Sequence, residues 1–66
     1  MARITKEIKN RFENGFDILI KKAGKEYFFF KDEDSEDWTC DISENGEIIE
    51  TNFISDDEVL EEIKNI

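Results

Sequence analysis

Apolar residues at Ile4, Ile8 and Phe12 recur at every fourth position, which lays one narrow stripe along a helix. The pattern predicts a helix over residues 2–14, with Lys6, Lys9 and Arg11 off the stripe and facing water. Asn14-Gly15 then supplies the left-handed conformation that ends helices. Beyond it the period falls from four to two. Phe16, Ile18 and Ile20 alternate with Asp17, Leu19 and Lys21, as a strand requires. A short turn at Ala23-Gly24-Lys25 leads into a second strand over residues 26–31, so the two form a hairpin. A third strand over 37–43 places Trp38, Cys40 and Ile42 on one face and Thr39 and Asp41 on the other. Asn45-Gly46, which tolerates positive φ in a tight turn, leads into a fourth strand over 47–53 with Ile49, Thr51 and Phe53 expected inward. Ser55 and Glu58 have the spacing of a capping box, in which the Ser55 hydroxyl accepts from the Glu58 amide and the Glu58 carboxylate reaches back. Val59, Ile63 and Ile66 predict a C-terminal helix.

These elements make one α+β domain over residues 1–66: an N-terminal helix, a four-stranded antiparallel meander sheet and a C-terminal helix. No linker, repeat or proline-rich segment interrupts it. The one low-complexity stretch is the acidic run of residues 32–37, between strands two and three. A chain of this length buries only about 60% of the surface its unfolded form exposes, and its apolar share is 38%. Eight aromatic residues (six Phe, one Tyr, one Trp) compensate, since each can bury roughly 150–250 Å². A folded chain is therefore expected despite a net charge of −9.

The charge is unevenly placed. Residues 1–31 carry eight Lys or Arg against four acids, whereas residues 32–66 carry Lys64 alone against fourteen. Such a split implies two electrostatic faces.

The chemistry available to the chain is narrow. It has no histidine and a single cysteine, Cys40, so Ser-His and Cys-His nucleophile pairs and an intramolecular disulfide are excluded, and a zinc site is disfavoured. Gly15, Gly24 and Gly46 all fall in turns, which leaves no glycine-rich phosphate loop. The acidic run resembles the start of a calcium loop but lacks its central Gly and distal Glu. Cys40 is expected in the core, as an ordinary buried thiol. We therefore expect no enzyme, cofactor or metal site. No apolar run approaches the ~20 residues of a membrane span, and the first ten residues are unlike a signal peptide. The expectation is a cytoplasmic protein.

Two features remain as candidates for function. Tyr27-Phe28-Phe29-Phe30 must send alternate rings to opposite faces of its strand. If the two helices cover one face, an aromatic pair is left exposed, here expected to be Tyr27 and Phe29, and a contiguous apolar patch marks an interface, for instance in a homodimer. If the helices divide, one per face, all four rings are buried. The second feature is the acidic half. Asp32, Glu33, Asp34, Glu36 and Asp37 in the loop, with Asp56, Asp57, Glu58, Glu61 and Glu62 in the last helix, form a candidate array for a basic protein surface that otherwise holds nucleic-acid phosphates. Direct nucleic-acid binding by the chain itself is opposed by its net charge.

In size, acidity and layout the whole chain resembles the small phage-encoded inhibitors of bacterial defence, of which the anti-CRISPR proteins are the best-known group. That resemblance implies inhibition of a nucleic-acid-handling partner by nucleic-acid mimicry. The basic N-terminal half departs from a uniformly acidic mimic, and no functional residue carries over.

Overall fold

The computed structural model describes residues 3–32 and 34–66. The chain runs through α1 (Lys6–Glu13), β1 (Ile18–Lys22), β2 (Lys25–Lys31), β3 (Asp37–Glu44), β4 (Glu47–Ser55), a 3-10 turn (Asp56–Glu58) and α2 (Val59–Lys64). This is the predicted α+β order. Helix α1 starts later than its apolar stripe because Thr5 caps it: the Thr5 side chain accepts from the Ile8 amide at 3.1 Å, satisfying one free N–H of the first turn. Ile4 precedes the cap yet still packs on the core. At the other end Gly15 adopts φ +71°. The Phe16 amide donates to the Arg11 carbonyl at 2.8 Å, and the Gly15 amide donates to the Phe12 carbonyl at 3.1 Å. These are the two bonds of a Schellman ending.

The strands form one sheet in the order β1-β2-β3-β4, each antiparallel to the next. Both hairpins turn on two residues with positive φ, Ala23 and Gly24 in one, Asn45 and Gly46 in the other. That pairing matches the natural twist of the strands. A meander has a direct electrostatic consequence: chain order becomes spatial order. The basic β1 and the acidic β4 therefore occupy opposite edges, and the charge split between these strands becomes a lateral split across the sheet.

Both helices cover the same face. Ile18, Phe29, Trp38, Cys40 and Ile54 from the sheet form one buried cluster with Val59 and Ile63 of α2, and Phe12 of α1 stacks on Trp38 at 5.4 Å between ring centroids. Burial of each large side chain here contributes about 1.5–3 kcal/mol.

Two local expectations are corrected. The inner face of β4 is not Ile49, Thr51 and Phe53. Ile54 lies opposite Trp38, Asn52 opposite Cys40 and Glu50 opposite Ile42, so these three share the covered side. Phe53 lies opposite Thr39 on the bare side and is 79% exposed. A bulge between Ile42 and Ser43 inserts Ile49 as an extra residue on β4. The capping box at Ser55 does not form either: its side chain makes no cap hydrogen bond, and the segment winds first as a 3-10 turn. Ser55 is still paired with Asp37 as the last residue of β4, and the strand sets its direction.

Candidate functional site

The pairing of Asp37 with Ser55 brings together two acidic segments far apart in sequence. The loop before β3 and the 3-10 turn after β4 emerge at the same end of the sheet. Asp32, Asp34, Glu36, Asp37, Asp56, Asp57 and Glu58 are all exposed there, around an open cleft lined by Lys31, Glu36, Asp37, Ser55, Asp56 and Asp57. The loop is shaped by local bonds, with the Asp37 amide donating to Ser35 Oγ at 3.1 Å and the Ser35 amide to the Asp32 carbonyl at 3.3 Å. Glu33 lies outside the described residues.

Not every predicted carboxylate is available. Asp56 Oδ1 accepts a hydrogen bond from Trp38 Nε1 at 2.9 Å and lies 3.8 Å from Lys31 Nζ. Trp38 is fully buried, and its indole N–H can only donate, so Asp56 is first a structural acceptor. Lys31 belongs in sequence to the basic half of the chain, yet the fold sets it among these acids. Glu61 and Glu62 stand further along α2 rather than at the sheet end. Glu62 and Glu50 lie close enough to Cys40 to influence its ionisation. Burial first, then the carboxylates of Asp41, Glu62 and Glu50, push the Cys40 thiol up to about 11. At neutral pH it is a protonated and unreactive core residue.

The basic side is partly committed as well. The Arg11 Nε donates to the Asp17 carbonyl, and its guanidinium stands over the Phe16 ring at 5.7 Å. Lys22 Nζ donates to the Ile66 carbonyl.

The aromatic run resolves in favour of both helices on one face, but the pair on the bare side is the opposite of the one expected, and of its two rings Phe28 is exposed and Phe30 half-buried. Phe29 is 1% exposed and Tyr27 is half-buried against the core, because their register partners Cys40 and Ile42 face the helices. Phe28 and Phe30 point to the bare side, with ring centroids 5.5 Å apart, beside Leu19, which is paired with Phe28.

Among the described residues no group of three or more Cys, Asp or Glu side chains is arranged to hold a metal ion. No helix among them is long and apolar enough to cross a membrane. No family model matches this chain, and neither does any curated protein or solved structure.

Proposed function

We propose that the protein is a non-catalytic binding module whose acidic sheet end docks on a Lys- and Arg-lined surface of a nucleic-acid-handling partner and keeps phosphates from it. The observation that supports this reading is the pairing of Asp37 with Ser55, which gathers carboxylates of two segments at one end. Asp32, Asp34, Glu36, Asp37 and Asp57 carry the docking, while Asp56 holds the scaffold. Attraction of this kind steers association and weakens as salt rises.

The test is affinity capture from a lysate at about 50 and 300 mM salt, Debye lengths of roughly 14 and 6 Å. It uses the wild type, a sheet-end variant with Asp32, Asp34, Glu36 and Asp57 changed to amides, and a control with Glu7, Glu13, Glu26 and Glu47 changed instead. A nucleic-acid-binding protein that the wild type and the control retain at low salt, that the sheet-end variant loses, and that double-stranded DNA displaces, is the expected result. Equal loss in both variants would reduce the effect to bulk charge and end the proposal.

A second reading follows from Phe28, Phe30 and Leu19 on the bare face: self-association through that face. Sedimentation of the wild type and of Phe28→Asp decides it, since a dimer converted to monomer supports it and two monomers remove it.

A further inference from the structure

The two edges of the sheet are treated very differently. Edge strands offer a row of unpaired backbone groups, and proteins guard them with short length, Lys, Pro, bulges or a covering segment. Edge β1 is guarded. It has five residues and ends in Lys21-Lys22, and α1 stands beside its Ile18-Leu19 end across a shared cleft. Edge β4 is the longest strand, nine residues, with neither Lys nor Pro. Its bulge disturbs only the Glu47–Glu50 end and leaves a regular run over 50–55. The three most exposed large hydrophobic residues among those described are Phe53 (79%), Ile48 (62%) and Ile49 (55%), and all three are on β4.

The geometry points to β4 as an acceptor for strand addition, and to its occupant as an extended segment of a partner protein with alternating basic and apolar side chains. The added backbone pairs with the free edge of residues 50–55, as in other β-augmentation complexes. Alternate side chains then fall on opposite faces. On the helix-covered side they meet Glu50, with Glu62 nearby, which selects Lys or Arg. On the bare side they meet Phe53 and, just beyond the bulge, Ile48, which selects apolar residues. Charge argues against β4 of a second copy as the occupant. Pairing β4 with β4 sets Glu47, Glu50 and the acidic sheet ends of two copies together, with no Lys or Arg on either strand to offset them. Pairing β4 with β1 of another copy is favoured by charge but uses the guarded edge, and as a heterologous contact it would repeat from copy to copy into a ring or a filament. The inference shares with the proposed function only the sign of the partner's charge, and it concerns a different surface.

Two synthetic octapeptides of one composition test it, an alternating Lys-Val peptide and a block peptide of four Lys then four Val. They are titrated into the ¹⁵N-labelled protein, with amide exchange and sedimentation recorded. The alternating peptide is expected to bind at least tenfold tighter, to shift and protect the amides of residues 50–55, and to lose at least fivefold affinity against Phe53→Lys or Ile48→Lys. Equal binding of the two peptides, or shifts confined to the sheet end, would overturn strand addition. The sheet-end amide variant tells the two ideas apart: if it abolishes the binding of both peptides alike, the proposed function stands while strand addition fails. A dimer in the protein alone, with the β4 amides already protected, would make the occupant a second copy and overturn the inference.

Discussion

Asp56→Ala is the substitution whose effect the structure defines best. The Trp38 indole N–H is buried and has one acceptor, Asp56 Oδ1 at 2.9 Å. Truncation leaves that donor unsatisfied in the core, which costs about 1–3 kcal/mol. The ion pair to Lys31 adds little, because it spans 3.8 Å between side chains that are 35% and 50% exposed and such pairs contribute about 0–1 kcal/mol. Asp56→Asn retains an oxygen at the acceptor position and should cost less than about 1 kcal/mol, the part owed to charge. Lys31→Met should cost under about 0.5 kcal/mol. A domain this small holds about 3–10 kcal/mol in total at 0.05–0.15 kcal/mol per residue, so Asp56→Ala removes a large share of it. Urea unfolding followed by far-UV circular dichroism measures all three, and the Trp38→Phe/Asp56→Ala cycle isolates the pair, with coupling of about 1–2 kcal/mol expected. Coupling near zero, or Asn as damaging as Ala, would refute the view of Asp56 as the acceptor for Trp38.

Other outcomes follow from the backbone, the thiol and the two sheet faces. Ala23 sits at φ +53°, a conformation that costs an L-residue roughly 1–2 kcal/mol and that Asn tolerates better, so Ala23→Asn should raise the unfolding free energy by about 0.5–1 kcal/mol, read as a higher urea midpoint with an unchanged slope. Because the Cys40 thiol is raised to about 11 from 9.0, the unfolded chain loses its proton first as pH rises. The stability owed to the neutral thiol is complete below pH 9 and declines between pH 9 and about 11, by at most about 3 kcal/mol; unfolding curves of wild type and Cys40→Ser across that window should converge or cross. Phe29→Ala, at a buried position, should cost about 3–5 kcal/mol, whereas Phe53→Ala at the bare edge should stay within about 0.5 kcal/mol of wild type; thermal melts compare them directly, and equal losses would place the core on the wrong face.

Much of the fold was legible because its signals are local. The fourfold spacing of Ile4, Ile8 and Phe12, the Asn45-Gly46 turn, and the alternation of Trp38, Cys40 and Ile42 each depend on a few neighbouring residues. What escaped was decided at longer range. β4 offers two alternating sets, and the one containing Ile49, Thr51 and Phe53 is the more apolar, so hydrophobicity alone turns it inward. The register with β3 does the reverse and commits Ile54, Asn52 and Glu50 to the core side. The Tyr27–Phe30 run was ambiguous for a related reason, since four consecutive rings carry no contrast between faces and only the pairing of Phe29 with Cys40 breaks the tie. For the candidate site, the acidic loop and the acidic turn were each visible, while their meeting depended on Asp37 lying opposite Ser55. The bond from Trp38 to Asp56 left one trace in the sequence: a tryptophan on a core-facing position must find an acceptor, and the segments that meet at that end of the sheet are rich in carboxylates.

The meander also bears on how the chain assembles. Every strand finds its partner in the segment made just before or just after it, so each closure joins a short loop with a small entropic cost. Pairing can begin at either two-residue turn and spread strand by strand, the route of rapid folding for sheets rich in short-separation contacts. Trp38 is the exception, because its ring waits for a carboxylate eighteen residues downstream. The indole is therefore sealed only when the final turn closes over the sheet.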